Sequence, residues 1–160
     1  MQDHKKFIRE TFKNAKESAD RGDYPHGALI VCDDKIISRG YEWLKSKNDA
    51  VNGHAEIDAI RKAQKTLGQP YLKGCTLYSA AEPCPMCASA AFWAKIDTVV
   101  WSTSREDMIE EMDKKKDGNF SWRQIAISAD EIFKKGIGHE IKTIPGVLRE
   151  EGKKLFDLPT

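Results

Sequence analysis

The sequence His54-Ala-Glu56 is followed, thirty positions later, by Cys84 within Pro83-Cys84-Pro85-Met86-Cys87. Together these stretches supply one imidazole, two thiolates and one carboxylate, and imidazole and thiolate are the ligands that zinc prefers. Structural zinc sites are closed by four protein ligands, whereas catalytic sites use three and leave the fourth position to water. The two stretches therefore predict a catalytic zinc site held by His54, Cys84 and Cys87, with Glu56 as an unligated base.

The spacing within each stretch predicts where the ligands lie on their helices. Cys84 and Cys87 are three residues apart at the start of an apolar run, so one helix face can present both to a single ion. A helix N-terminus also favours thiolate over thiol, because its free N–H groups stabilise negative charge. His54 and Glu56 are two residues apart, which in mid-helix would separate them by roughly 200°. We therefore predict that they lie in the first turn of a second helix, after the loop that ends at Gly53.

A zinc ion held this way predicts hydrolytic chemistry. Zinc lowers the pKa of its bound water from near 16 towards about 7, and Glu56 can take up that proton and pass it to a departing amine. The alternative is a structural zinc site closed by a fourth ligand from elsewhere in the chain. The candidates for that ligand are Cys32, Cys75, His26 and His139. A second tight Cys or His pair, the usual source of a fourth ligand, does not occur.

The charge balance limits the partners that this chain can attract. Its 160 residues fit a single domain, and 26 basic against 25 acidic residues give a formal charge of +1. Such a chain has no global attraction to a polyanion or a membrane surface. The densest basic run, Lys114 to Lys116, is flanked by acidic residues and is typical of a solvated helix end. A nucleic-acid partner would therefore need a local basic patch.

The chemical state expected for the cysteines depends on the cellular compartment. No apolar run has the length of a signal peptide or a membrane span, so we expect a soluble cytoplasmic protein. In that reducing compartment the four cysteines are expected to be metal ligands or buried thiols rather than disulfides. We therefore predict that Cys32 and Cys75 lie in the core as thiols.

Hydrophobic periodicity predicts alternating helices and strands. The spacing of Ile8, Phe12, Ala15 and Ala19 indicates an N-terminal helix, and two runs rich in β-branched residues, 28–32 and 35–41, should pair as a hairpin. Strands that alternate with helices call for a sheet covered on both faces. The further predicted elements are a loop at 43–53, a helix at 57–67, a strand at 76–79, a helix at 88–94, a strand at 98–101, a helix at 105–115, a loop at 117–121, a strand at 124–128, a helix at 130–135, a short strand near 141 and a helix at 147–156.

From Phe7 to Trp101 the chain resembles the cytidine deaminase-like superfamily, whose signature joins His-x-Glu to Pro-Cys-x-x-Cys. The stretches Pro25–Val31, His54–Ile60 and Glu82–Cys87 are similar to the branch that contains guanine deaminases and tRNA adenosine deaminases. The resemblance implies an α/β fold, a three-layer α/β/α sandwich with a central five-stranded mixed sheet. It also implies one zinc ion per chain on the three ligands above, a proton-shuttling glutamate, and a dimeric or larger assembly.

Three residues carry what the resemblance implies about the substrate. His26 occupies the place of an aromatic residue that covers the base in guanine deaminases, although it would also suit a surface position at a strand entry. Glu42 lies where relatives have a substrate-contacting asparagine, and an ionised carboxylate only accepts hydrogen bonds, which favours substrates that present N–H or O–H groups. Asn48 or Asn52 could serve instead. Trp93 matches a tryptophan of guanine deaminases, but it would equally suit the core or a dimer interface.

The balance of these features favours a small substrate. The chain lacks a short Gly-rich stretch that the tRNA enzymes carry after the fourth strand, although residues 144–156 are similar to their C-terminal helix. Asp117 lies one position out of step with an acidic residue that recognises the base in guanine deaminases. The leading hypothesis is a homodimeric zinc-dependent hydrolytic deaminase of a free purine-type base or nucleoside, with guanine to xanthine as the first candidate reaction.

Two alternatives remain open at this point. A tRNA adenosine deaminase would need a basic surface beside its pocket, for which the lysines at 114–116, 134–135 and 153–154 are the candidates. A zinc-stabilised binding module without turnover is suggested by the departures at His26 and Glu42, whereas the intact Glu56 argues against it.

Overall fold

The computed structural model describes residues 2–114 and 122–159 of the chain. Within them, no helix is both long enough and apolar enough to cross a membrane. In chain order the elements are α1 His4–Asp20, β1 Gly27–Cys32, β2 Lys35–Tyr41, α2 Ala55–Leu67, β3 Cys75–Ala81, α3 Pro85–Trp93, β4 Thr98–Thr103, α4 Arg105–Glu111, α5 Ala129–Lys134, β5 Lys142–Ile144 and α6 Arg149–Lys153, with 3₁₀ turns at Met112–Lys114 and Lys154–Asp157.

The five strands form one mixed sheet in the order β2-β1-β3-β4-β5. Strand β1 runs antiparallel to both β2 and β3, whereas β3, β4 and β5 are parallel to one another. Parallel neighbours need a crossover connection, which α3 provides between β3 and β4. The five-stranded mixed sheet that the resemblance implied is confirmed.

Helices cover both faces of the sheet, as the alternation of strands and helices predicted. Successive side chains of a strand point to opposite faces. Leu29 of β1 and Tyr78 of β3 therefore pack with α1 and the C-terminal turn, while Ile30 and Leu77 pack with α2, α3 and α5. The three-layer α/β/α sandwich is confirmed.

Local signals in the sequence account for most element boundaries. The Asp3 side chain accepts a hydrogen bond from the Lys6 amide at 3.1 Å and caps the start of α1. Helix α2 ends at Gly68, whose φ of 64° is the left-handed conformation that favours glycine. Asp33 and Asp34, with φ values of 50° and 58°, make the tight turn of the predicted hairpin.

The strand predicted at 124–128 is wrong. Residues 122–128 have no regular secondary structure, and Ile125 and Ile127 are exposed rather than packed against a sheet. β-Branched residues fit a half-buried pleated surface, but a strand also needs a neighbour, and the edge beyond β4 is taken by β5. Helix α4 also ends earlier than predicted, at Glu111. Lys115, Lys116 and the loop predicted at 117–121 lie outside the described residues.

The expectation that Cys32 and Cys75 remain thiols is also wrong. The two residues face each other at the end of the antiparallel β1–β3 pair and form a disulfide across a Cα separation of 4.4 Å. This separation lies within the range that a disulfide can bridge. A reducing compartment disfavours disulfides in general, but the register of β1 and β3 places these two cysteines directly opposite each other.

Helix α2 approaches β2 closely because Gly40 has no side chain. A Cβ atom added at Gly40 would collide with the Ala55 carbonyl oxygen and lie 2.8 Å from the Ala59 Cβ. Ala55 is the first residue of α2. The contact therefore fixes the start of the helix that His54 and Glu56 occupy.

We expect Gly40→Ala to lower the free energy of unfolding by at least about 2 kcal/mol, because overpacking against backbone cannot relax by a rotamer change. Gly138→Ala is the matched control. Its φ is 88° and nothing lies within 4 Å of the added Cβ, so it should cost only the left-handed strain of about 1 kcal/mol. Urea denaturation of both variants gives the comparison, and equal costs would contradict the close contact.

Candidate active site

Two helix starts bring the predicted zinc ligands together. His54 is the N-cap of α2 and Cys84 is the N-cap of α3, and both have extended backbone angles. The Cys84 sulfur accepts a hydrogen bond from the Cys87 amide at 3.4 Å. The free N–H groups of the α3 start thus face a sulfur, which favours its thiolate form.

The three ligand atoms have the spacing of a metal site. His54 Nδ1 lies 3.7 Å from Cys84 Sγ and 3.5 Å from Cys87 Sγ, and all three atoms lie within 4.8 Å of one another. Zinc bonds of about 2.3 Å to sulfur and about 2.05 Å to nitrogen give, in tetrahedral geometry, a nitrogen-to-sulfur distance of about 3.6 Å. The donor set and its spacing therefore fit zinc.

The candidates for a fourth protein ligand are engaged elsewhere. Cys32 and Cys75 are joined in the disulfide. His139 places its Nε2 2.7 Å from the Ile96 carbonyl oxygen, and His26 stacks on Trp122. The cluster of possible ligands contains His54, Cys84 and Cys87 only, as far as the described part of the chain extends. An open, three-ligand site is the arrangement typical of catalytic zinc.

Burial and the charges around the three ligands shift their pKa values in different directions. The hydrogen bond from Cys87 and the nearby His54 lower the pKa of the Cys84 thiol to about 4. The same hydrogen bond and burial raise the pKa of Cys87 well above its usual range. Burial alone would lower the pKa of His54, but the Cys84 thiolate and the carboxylates of Glu42 and Glu56 raise it to about 9. Cys84 thus carries a negative charge at neutral pH, whereas His54 and Cys87 would give up their protons on binding a metal ion.

Glu56 lies beside the ligands. It is 7% exposed, and its Oε1 accepts a hydrogen bond from the Ser79 hydroxyl at 2.8 Å. Its Oε2 lies 3.6 Å from Cys87 Sγ, which donates to it. Burial raises the pKa of Glu56, with the Cys84 charge acting in the same direction, while His54 and Ser79 oppose the rise. A buried carboxylate of raised pKa is suited to carry a proton.

His54, Cys84 and Glu56 line a cavity of about 550 Å³, and Cys87 is buried beside them. His26, Glu42 and Asn48 line this cavity, so the structure places these candidate substrate residues next to the ligands. Asn52 is exposed on the surface of the preceding loop and does not line it. Asp117, the remaining candidate, is outside the described residues.

Trp93 does not belong to the cavity of its own chain. It lies at the end of α3 with 75% of its surface exposed, and it is absent from the cavity walls. The prediction that Trp93 contacts the substrate is therefore not supported within one chain, and a core position is excluded. A position in an interface between copies stays a prediction.

Glu42 presents a buried carboxyl group to the cavity. It is 3% exposed, and its carboxyl group lies near the Ala55 amide, which opposes the rise of its pKa. Burial raises the pKa of Glu42 well above its usual range, with a contribution from Glu56. Its backbone is held by Ser18, whose hydroxyl accepts from the Glu42 amide at 3.0 Å. Arg21 donates to the Glu42 carbonyl oxygen at 3.1 Å, so the Glu42 main chain is held at both its N–H and its C=O groups.

Tyr24, His26 and Trp122 form an aromatic wall of the cavity. Of these three residues, only His26 was predicted from the sequence. The His26 ring stacks on Trp122 with a centroid separation of 5.6 Å. Trp122 also meets Tyr24 and Phe156 edge-on. Burial, aided by His54 and Arg105, lowers the pKa of His26 to about 4, so this imidazole is neutral at pH 7. Trp122 was missed because it lies between the loop predicted at 117–121 and the strand predicted at 124–128, in a stretch without a motif.

A buried aspartate holds the loop that leads to His54. Asp23 is fully buried and accepts hydrogen bonds from the Lys45 amide at 2.8 Å, the Ser46 amide at 3.0 Å and the Ser46 hydroxyl at 2.6 Å. No local pattern indicates this role, because the bonds join residues more than twenty positions apart. Leu44, beside these amides, lines the cavity.

The comparisons with known proteins agree with this geometry. Residues 1–103 match the family model of the cytidine and deoxycytidylate deaminase zinc-binding region. The chain belongs to the cytidine deaminase-like superfamily. The matched region contains all three candidate ligands and Glu56, and the superfamily resemblance stated from the sequence is confirmed.

Relatives with two different substrate specificities are similar to this chain. Guanine deaminase of Bacillus subtilis is 37% identical over 129 residues, which cover 80% of each chain. A tRNA-specific adenosine deaminase of the same organism is 32% identical over 145 residues, covering 91% of this chain and 81% of the relative. The chloroplastic tRNA(adenine(34)) deaminase of Arabidopsis thaliana is 44% identical over 95 residues, but the match covers only 7% of that relative.

A solved structure shares the fold over nearly the whole chain. It comes from a study of A-to-I editing by tRNA:A34 deaminases at the wobble position of transfer RNA, and it superposes with a TM-score of 0.74 at 28% identity. The superposition covers 94% of this chain and 98% of the other.

We expect Asp23→Ala to loosen the loop at 43–53 and to cost about 1–3 kcal/mol of stability, because it removes three hydrogen bonds that a buried carboxylate accepts. Hydrogen exchange followed by mass spectrometry should show faster exchange at Lys45 and Ser46. Asp49→Ala is the control, since Asp49 accepts only from Val51 and Asn52 near the surface. Unchanged exchange at Lys45 and Ser46 would contradict the role given to Asp23.

Proposed function

We propose that this protein is a zinc-dependent hydrolytic deaminase of a free purine-type nucleobase or nucleoside. The reaction to test first is guanine and water giving xanthine and ammonia. The observation that carries the proposal is the triangle of His54, Cys84 and Cys87 with Glu56 beside it, open to a cavity of about 550 Å³. This volume is in the usual range for small-molecule sites.

Each residue of the site has a role in this reaction. Zinc, when bound, supplies water whose pKa is lowered to near 7. Glu56 accepts the proton released from that water and returns it to the amino group as ammonia departs. Ser79 holds one Glu56 oxygen at 2.8 Å. Cys87 donates to the other oxygen, Oε2; as a thiolate ligand it would have no proton to donate, and Glu56 Oε2 would be free to take up a proton.

The cavity walls support a flat heterocyclic substrate. The neutral His26 ring and Trp122 give an aromatic wall, and aromatic faces suit planar rings. Glu42 and Asn48 give polar groups that can recognise ring edges.

Glu56→Gln should retain zinc and release no detectable ammonia, because the amide keeps the shape of the side chain but cannot accept and deliver the proton. The measurement is ammonia release across a panel of bases, nucleosides and one tRNA, with zinc content determined on the same samples. Wild-type activity should disappear on chelation. Full activity in Glu56→Gln would sink the mechanism, and a zinc-loaded wild-type protein without turnover would favour the binding-module alternative.

A tRNA adenosine deaminase remains the second candidate, because relatives of that specificity are as similar in sequence as the guanine deaminase. Two of the lysine pairs named as its possible basic surface, 134–135 and 153–154, are separated in the fold. Lys134 ends α5 on one face of the sheet, whereas Lys153 ends α6 on the other. Three acidic side chains, Glu42, Glu56 and Glu82, line the cavity itself. These positions support the small substrate over a polyanion.

Glu42→Gln should raise the KM for the preferred base at least tenfold, because it replaces one carboxyl oxygen with an NH2 donor at a buried position that lines the cavity. Zinc content should not change. Asn48→Gly is the comparison variant, since Asn48 has a φ of 52° that glycine tolerates. If Asn48→Gly raises the KM and Glu42→Gln does not, recognition of the substrate edge belongs to Asn48 instead.

A further inference from the structure

One buried guanidinium group connects two separate walls of the cavity. Arg105 is the first residue of α4 and is 3% exposed. It also lines the cavity. A buried arginine needs partners for its donors, because burying an unpaired charge is costly. Its partners lie on the turn that carries Cys84 and on the irregular segment at 122–128.

The first arm of Arg105 holds the turn before Cys84. Its Nη2 donates to the Pro83 carbonyl oxygen at 2.7 Å and to the Glu82 carbonyl oxygen at 3.2 Å. The Pro83 carbonyl belongs to the same planar peptide unit as the Cys84 nitrogen. A hydrogen bond that fixes this carbonyl therefore fixes the orientation in which the Cys84 side chain leaves the backbone.

The second arm of Arg105 holds the aromatic wall. Its Nη1 donates to Gln124 Oε1. Residues 122–128 have no regular secondary structure, so side-chain contacts decide where this segment lies. Gln124 is two residues from Trp122, which stacks on His26. The bond to Gln124 thus ties the position of the wall to the position of the cysteine turn.

Glu82 completes the cluster. Its Oε2 lies 3.7 Å from Arg105 Nε, and both side chains are nearly fully buried. These two atoms face each other as an ion pair just beyond hydrogen-bond distance. Only a planar group with several fixed donors can face Glu82, two carbonyls and Gln124 at once, and a lysine ammonium cannot reproduce this fork.

We propose that Arg105 is a positioning residue that sets Cys84 for zinc and holds the wall at 122–125 against the cavity. The inference rests on the zinc-dependent function proposed above. Residues outside the ligand set that orient ligands commonly change metal affinity by about 10–100-fold when they are replaced. Arg105 would act in this way through the backbone.

The test compares Arg105→Lys with Arg149→Lys. Arg149, on α6, donates hydrogen bonds of 2.8 and 2.7 Å to Asp107, which lies on α4 like Arg105. Arg149 does not line the cavity. Zinc affinity is measured by competition with a chromophoric chelator, and ligand geometry by the absorption spectrum of the cobalt-substituted protein. We expect Arg105→Lys to weaken zinc binding at least tenfold and to alter the cobalt spectrum, and Arg149→Lys to leave both unchanged.

Gln124→Leu tests the contact of Arg105 with the wall separately from its contacts with the cysteine turn. It removes the acceptor on the wall and leaves the bonds to the cysteine turn, so it should raise the KM for guanine, or for whichever base the panel identifies, at least threefold at unchanged zinc affinity. Arg105→Lys should show both effects. Melting temperatures of all three variants separate these changes from a general loss of stability.

The outcomes distinguish this inference from the proposed function. If the wild-type protein binds neither zinc nor cobalt, the proposed function fails. If it binds them and Arg105→Lys binds equally well, or loses only melting temperature, the inference is overturned. Should Arg105→Lys not fold, Gln124→Leu decides, because an unchanged KM in that variant overturns the bridging role.

Discussion

The starts of two helices must meet at the carboxyl end of one strand, because an imidazole on the first and two thiols near the second have to reach the same ion. The sheet order satisfies this constraint. Strand β3 lies at the centre, its carboxyl end leads directly into the cysteine turn, and its Ser79 holds Glu56. The antiparallel β1 and β2 carry α2 to the same edge, where Gly40 lets the helix start lie close to the sheet.

The cavity that results collects an unusual amount of buried charge. Glu42, Glu56 and Glu82 are each less than a tenth exposed, and His54 and Arg105 are the cationic groups that face them. Burying carboxylates raises the free energy of the folded chain unless cations or N–H donors approach them. A divalent ion held by His54, Cys84 and Cys87 would offset part of this cost. The site therefore couples metal binding to the stability of the surrounding fold.

The sequence predicted the parts of the site that short spacing specifies. The predicted helix starts are correct for His54, Glu56, Cys84 and Cys87. Side chains two or three positions apart can reach one ion from only a few positions in a helix. Arg105 and Asp23 could not be found this way, since their partners are backbone groups about twenty positions away. The strand expected at 124–128 and the thiols expected at Cys32 and Cys75 failed for a related reason. Strand pairing depends on neighbours across the sheet, which a local pattern does not contain.

The disulfide between Cys32 and Cys75 lies at the end of the β1–β3 pair farthest from the cavity. Strand β3 runs from Cys75 to Ala81 before the chain reaches Cys84, and its seven residues span roughly 20 Å at the usual rise per residue. No disulfide can bridge such a distance. The sheet therefore keeps the Cys32–Cys75 pair apart from the Cys84–Cys87 pair. The native chain can be oxidised at one end of β3, while the thiols beyond its other end stay reduced and able to bind metal.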